Sequence, residues 1–549
     1  MKTKHILLGL SLGLLGGFTA CDVTDLNPKD SITDNSYWNT VSDLENYAKG
    51  FYMNLTGKGL RADGSENLDD LNTLDERSDN RLVASPDQWL FNEWVIPSEA
   101  NFDSKWYWNN IRNLNYFMTR YQRVNATDSE VNPVVAVIRF FRAFDYFDKI
   151  KTFGDVPWYE KDLTTADIDE LYKARDDRDF VLGKIIEDLE FAIEWLPEKS
   201  AAEVGALHKD AARTFLARVC LHYGTYKKYH NVSTSPTSQE LLQKAATLAK
   251  EVMDSGLYDI VQGSDAGANQ SAFADYPLYY ANQFTQEDLT TNKECILARV
   301  FEADVLTHNL ARGGGVGLSK DFAESFLCKD GLPIANSSEY KGDETLDDEM
   351  ANRDPRMYQI IDSKYRPYTV KSNGMRVVNS GIDDKKEFSP SEEPGTNVHS
   401  APGLTGTATG YSPIKLVSAS QSQQDAVKTS SYDWFVFRYA EILLIYAEAK
   451  CELGECTQAV LDETINKLRD RVEMKLFENP KTYLGMRVTD KVKALYQPEV
   501  FEGSTARDLI EYNGKTYIRM YSGKSLNEAG RKWTGNDKRL YYPIPTSQI

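Results

Sequence analysis

The stretch from Val134 to Glu160, reading VVAVIRFFRAFDYFDKIKTFGDVPWYE, limits what this chain can fold into more than any other. Val134, Val137, Ile138, Phe141 and Phe144 recur at steps of three and four, which puts them on one face of a helix. Arg139 and Arg142 sit one turn apart. Arg142 precedes Asp145 by three residues, so a local ion pair is available. The period then breaks at Phe153-Gly154-Asp155-Val156-Pro157-Trp158. Glycine frees the backbone there, and Pro157 biases Val156 out of the helical region. A large aromatic helix therefore runs straight into an aromatic turn. A core helix and its loop account for such a segment, and the rest of the chain has to pack around it.

The chain has 549 residues and is 41% hydrophobic, enough for a sizeable core. Tyrosine outnumbers phenylalanine, 31 to 23, which places many rings with one end at a wet surface. The formal net charge of −19 argues against nucleic acid as a partner, because that needs a basic footprint. It fits a surface protein that handles neutral cargo, without identifying the cargo.

The first residues read as an address. Lys2 and Lys4 form a positive n-region, and Ile6 to Phe18 is an apolar run of about 13 residues, too short to span a bilayer. Phe18-Thr19-Ala20-Cys21 follows, similar to a bacterial lipoprotein signal cut before Cys21, which would then carry lipid. An ordinary secretory signal is the alternative. Residues 1–20 are thus expected to be a signal and residues 21–36 a polar tether. Several acyl chains make a durable anchor where one is marginal. No later apolar run is long enough to cross a membrane.

Besides Cys21, Cys220, Cys295, Cys328, Cys451 and Cys456 remain, an odd number with no tight framework. Cys220 falls in an apolar helix. Cys451 and Cys456 flank Gly454, where a bridge is conceivable. No Cys or His spacing fits zinc, and no metal or cofactor is expected.

Helix signals recur along the chain. Ser42 and Glu45 have the spacing of a capping box. Residues 57–100 are rich in Gly, Asp, Asn and Ser, yet carry Trp89, Phe91 and Trp94, an unusual content for a long loop. Trp106-Tyr107-Trp108 opens a further helix. Residues 177–195, 206–229 and 239–255 read as helices, the last two as a pair with alanines at the contact and Gly256 as a stop. Residues 432–453 and 455–472 read as a second pair. These pairs look like tetratricopeptide units, although no exact 34-residue period is visible. Between them, residues 259–431 form an irregular insert with short strand candidates such as Glu294 to Phe301. The expected fold is mainly α: a tetratricopeptide-like helical-repeat scaffold with a loop-rich insert subdomain carrying short strands. Its parts are an N-terminal helical portion (37–258), the insert (259–431) and a C-terminal helical portion (432–549).

Several segments together resemble the SusD/RagB family, the outer-membrane nutrient-binding lipoproteins of Bacteroidota. The resemblance runs through Cys21 to Leu55 with Tyr37-Trp38, and through Arg139 to Pro157 with its FGDVP turn. It continues in Leu241 to Tyr258, Asn292-Lys293-Glu294-Cys295-Ile296, and Asp354-Pro355-Arg356. It ends with Arg438 to Ala449, Ile465 to Arg471, and Pro543-Ile544-Pro545. These follow one another in family order. Only Phe501-Glu502-Gly503 and Arg507-Asp508-Leu509 echo a further motif that relatives carry after the last helix pair. The resemblance implies a non-catalytic binding protein, lipid-anchored at the outer membrane and facing the exterior. It would hold an oligosaccharide, or in some relatives a peptide, for a SusC-like TonB-dependent transporter.

Sugar capture needs flat aromatic faces and polar groups for the hydroxyls. Trp89 and Trp94 in the early loop, and Tyr276, Tyr279, Tyr280 and Phe284 in the insert, are the candidate platforms. Asp79, Asn80 and Arg81 are candidate hydrogen-bonders. Each of the aromatic residues also fits plain packing. Asp69-Asp70 and Asp347-Asp348-Glu349 invite a glycosidase, but solvated charge explains them better than two carboxylates facing across a gap. Gly313 to Gly317 lacks the lysine ending of a phosphate loop, and Asp343 to Glu349 lacks the spacing of a calcium loop.

Overall fold

The computed structural model describes residues 34–55, 60–61, 81–82, 95–100, 105–261, 280–308, 317–318, 320–343, 346–361, 369–370, 376–377, 411, 413–418, 420, 423, 430–481, 509–512, 515–518, 520–521, 524–525, 544 and 546. Cys21 and the 1–20 segment lie outside them.

Asp34, the first described residue, lies inside the stretch expected to be a tether and is already packed. Its carboxylate accepts from Trp38 Nε1 at 3.0 Å, Tyr116 Oη at 2.8 Å and Arg120 Nε at 2.5 Å. Helix α1 (Val41–Lys49) is capped one turn before its first apolar contacts, by Thr40 with Asp43 rather than by Ser42 with Glu45. Asp43 Oδ2 accepts from both the Thr40 amide (2.8 Å) and its hydroxyl (2.9 Å), so the reciprocal bonds of the box close there.

Helix α2 (Asn109–Met118) leads to α3 (Asp128–Phe153), the aromatic helix. One apolar face was expected on α3; it is buried on nearly all sides. Phe140, Tyr146 and Phe147 are as enclosed as Ile138 and Phe141, while Val137 and Phe144 are only half-buried. Helix α4 (Arg178–Trp195) packs along α3, α5 (Lys209–Tyr229) on α4, and α6 (Ser238–Asp254) on α5. The alanines at positions 211, 212, 217, 245, 246 and 249 are all buried. At the closest approach of α5 and α6, a Cβ on Gly224 would stand 2.8 Å from Leu242 Cγ.

The turn after α3 is tied back to the helix. Gly154, at φ +77°, takes a conformation that side chains other than hydrogen resist. The Tyr146 hydroxyl accepts from the Tyr159 amide at 2.7 Å, and the Tyr146 ring lies 4.2 Å from that of Trp158. Asp155 Oδ1 accepts from the Arg178 amide, at the start of α4. Arg142 pairs not with Asp145 but with Asp188 on α4, Nε to Oδ2 and Nη2 to Oδ1 both at 2.7 Å; Arg139 Nε meets the same carboxylate at 2.6 Å. A bidentate buried contact outcompetes an i,i+3 pair worth a few tenths of a kcal/mol.

The C-terminal pair differs from expectation in two ways. Residues Trp434–Arg438 are a strand, β6, and only Tyr439–Glu452 is helical (α7), packed on α6. The Trp-Phe-Val-Phe run favours a pleated surface, and it finds one against β3 (Cys295–Arg299), antiparallel with Cys295 opposite Arg438. The following helix breaks at Thr464 (φ −129°, ψ −90°) into α8 (Gln458–Glu463) and α9 (Ile465–Asp470). Strand β1 (Leu60–Arg61) pairs with β4 (Leu306–Thr307), and β2 (Arg81–Leu82) with β5 (Gly317–Leu318), all antiparallel.

One core runs from Trp38 through α3 to α7 and includes Ile296, Leu297 and Phe437 of the β3–β6 pair. A satellite cluster of Leu318, Met350, Met357, Tyr358, Ile361 and Tyr411 builds part of the insert. Arg353, 2% exposed, braces that part: its Nη2 donates to the carbonyls of Ala323 (2.9 Å) and Phe326 (2.8 Å). Among the described residues, Cys220, Cys295, Cys328, Cys451 and Cys456 form no disulfide. Among the described residues no helix is long and apolar enough to cross a membrane. None of their His, Cys, Asp and Glu side chains group as a metal site. The architecture is mainly helical, a tetratricopeptide-like scaffold.

Candidate ligand-binding face

Two short ladders bring the early loop against the insert. Leu60 lies opposite Thr307, and Arg81 opposite Leu318. The Leu318 amide in turn donates to the Tyr411 carbonyl at 2.9 Å, which links the early loop to the satellite cluster. Thus two regions far apart in sequence, each carrying candidate sugar-binding residues, meet in space. Of those candidates, Asp79, Asn80, Trp89, Trp94, Tyr276 and Tyr279 lie outside the described residues. Arg81 is placed by its backbone, in β2.

Tyr280 and Phe284 are placed in full. They sit on and just before a short 3-10 turn, Ala281–Thr285, whose first amides are held by Gln359: Oε1 accepts from the Tyr280 and Ala281 amides, both at 3.0 Å. The rings meet edge to face, 5.0 Å between centroids. Tyr280 is 8% exposed and packs with Val472 and Met474, and Phe284 packs on the same cluster. Cations cover both rings. Lys415 Nζ lies 4.2 Å from the Phe284 centroid, and Arg438 and Arg471 stand over Phe284 and Tyr280 at 5.3 and 5.4 Å. Burial alone would raise the Tyr280 phenol, but Lys415 and Arg438 outweigh it and leave its pKa lowered.

Glu294, fully buried, anchors the two arginines. Its Oε2 lies 2.6 Å from Arg438 Nη1, its Oε1 pairs with Arg471, and Oε1 also accepts from the Val261 amide at 3.0 Å. The sequence showed Glu294, Arg438 and Arg471 only as motif letters. Their convergence needed three segments to meet, which no spacing reveals. Of the carboxylates that invited a glycosidase, Asp69 and Asp70 lie outside the described residues. Glu349 is buried and accepts from the Tyr411 hydroxyl at 3.0 Å, a structural contact.

Comparison with known proteins matches this architecture. The sequence pattern of the SusD family fits residues 264–549. A second pattern, for starch-binding proteins associating with the outer membrane, fits residues 28–221. A SusD-like protein of Formosa agariphila is 23% identical over 491 residues, 86% of this chain and 82% of its own length. A SusD-like protein of Bacteroides fragilis superposes with a TM-score of 0.64 at 20% identity, over 95% of this chain and 97% of that one. A SusD-like carbohydrate-binding protein of the same species gives 0.63 at 21% identity, over 93% and 98%. Two further structures of the same fold are a laminarin-binding SusD-like protein (0.51, 16% identity, 93% and 97% covered) and one with a xylogluco-oligosaccharide (0.54, 15%, 93% and 95%).

Proposed function

This chain belongs to the SusD family of carbohydrate-binding proteins associated with the outer membrane, and from that membership we propose that it captures an oligosaccharide at the cell surface. It would be lipid-anchored through Cys21 and pass the glycan, without cleaving it, to a partner TonB-dependent transporter. The observation that carries the ligand face is the pairing of β2 with β5 and β1 with β4. These ladders join residues 60–61 and 81–82, in the stretch whose sequence carries Trp89 and Trp94, to the insert, whose sequence carries Tyr276 and Tyr279. On this reading, rings from the two segments grip the apolar face of a pyranose while Asp79, Asn80 and Arg81 bond its hydroxyls. Relatives that hold laminarin or a xylogluco-oligosaccharide favour a glycan over a peptide as cargo.

Calorimetry against a panel of polysaccharides tests this. One class should bind with no release of reducing sugar, and Trp89→Ala and Tyr279→Ala should each weaken it about tenfold, the loss of one stacking platform. Undiminished binding in both variants removes the site assignment, and sugar release on incubation makes the protein an enzyme.

A further inference from the structure

The insert and the C-terminal helices line an open cavity of about 470 Å³, within the range of small-ligand sites. Phe322 and Phe326, both half-buried, give it aromatic walls. Its charged groups are Asp354, Arg356 and Arg469. Asp354 grips Arg356 with both oxygens, Nε to Oδ1 at 2.9 Å and to Oδ2 at 3.2 Å, so the two offset each other.

Arg469 has no such partner. It is 5% exposed, its Nε donates to the Lys475 carbonyl at 2.6 Å, and its guanidinium lies 4.1 Å from the Phe477 centroid. No carboxylate is ion-paired with it among the described residues. Burial lowers its pKa, with Asp354 opposing and Arg356 adding to that effect. Its position is built into the backbone: Gly331, at φ +83°, passes so close that a Cβ there would stand 2.8 Å from Arg469 Nη2. A buried cation without an ion-paired carboxylate is costly, and an anion bound in the cavity would offset that cost.

We propose that this cavity is a second saccharide subsite, specific for an anionic pyranose, a sugar unit carrying a carboxylate or a sulfate ester. The inference rests on the glycan-capture reading above. The aromatic walls cover the C–H face of the ring, and the Nη groups of Arg469 supply charge-assisted hydrogen bonds to the anion. A neutral hexose leaves that guanidinium unanswered. The net charge of −19 repels anions at long range, so selection has to come from this short-range contact.

Calorimetry and saturation-transfer NMR on the mature chain, with D-glucuronate, D-galactose 6-sulfate and D-glucose, test the inference. At least one anion should bind and glucose should not; the two anions separate a carboxylate from a sulfate specificity. Arg469→Gln should weaken the anion about tenfold or more. Ser325→Trp, at the exposed rim of the cavity, should fill it and abolish binding, a variant independent of the buried arginine. Binding of glucose equal to that of the anions overturns the inference, as does anion binding that survives Ser325→Trp. A chain that binds a neutral polysaccharide but neither anion keeps the proposed function and loses this subsite. A chain that binds no saccharide at all loses both.

Discussion

Asp188 carries more of the scaffold than any feature of its own neighbourhood in sequence announces. It is 1% exposed and receives two arginines from α3, one of them bidentately. Those arginines also cover rings, Arg139 over Phe191 at 4.3 Å and Arg142 over Trp158 at 4.9 Å, so the carboxylate fixes side chains that in turn hold the turn after α3. Removing one partner of a buried network leaves uncompensated charge, which costs more than the network itself contributes. Asp188→Ala should therefore lose about 3–5 kcal/mol in a urea titration. A triple variant, Arg139→Met, Arg142→Met and Asp188→Leu, should recover most of that loss. If the single variant costs under about 1 kcal/mol, the cluster is solvated more than its burial indicates.

At the scale of elements, the long helices were legible and the interruptions were not. Residues 177–195, 206–229 and 239–255 read as helices from their period, and the structure places helices at Arg178–Trp195, Lys209–Tyr229 and Ser238–Asp254. Strand β6 was hidden because its aromatic run joins α7 without a breaker, and its partner β3 lies far away in sequence. The break at Thr464 was hidden for a similar reason. Asn466 there turns its side chain to the Phe477 backbone, donating to the carbonyl at 2.9 Å and accepting from the amide at 2.8 Å. Tertiary bonds of this kind leave no periodicity. Two helix glycines make the same distinction measurable. Gly183 in α4 has open space around its Cβ position, whereas Gly224 in α5 is pressed against Leu242. Gly183→Ala should gain about 0.5–1 kcal/mol from helix propensity. Gly224→Ala receives the same gain but overpacks the α5–α6 contact, at a cost of about 1–3 kcal/mol. Denaturation midpoints should move in opposite directions; a parallel rise would mean that the two helices separate freely.

Over the whole molecule, a dense helical body carries loops that are joined by two short ladders, and the two parts do different work. The body was readable because its helices repeat a local pattern. The candidate site was readable only as composition, since no spacing signals that the segment of β2 meets that of β5. Tyr280 and Phe284 show what such a composition conceals: rings that look like platforms in the sequence are here packed among Lys415, Arg438 and Arg471. The same division separates anchorage from folding. The first described contacts of the body are those of Asp34 with Trp38, Tyr116 and Arg120, thirteen residues after Cys21 in the sequence. Cys21→Ser should therefore leave the melting temperature unchanged, within the roughly 0.5 kcal/mol typical of substitutions outside the core. It should remove the acyl chains that hold a lipoprotein at a membrane, so the protein should move from the membrane fraction to the soluble one. On the proposed function, co-purification with a transporter barrel should then fall as well, because an anchor would confine both partners to one surface and raise their effective concentration. A Cys21→Ser chain that stays in the membrane fraction, unlipidated by mass spectrometry and without a co-purifying barrel, would show that another part of the protein binds the membrane directly.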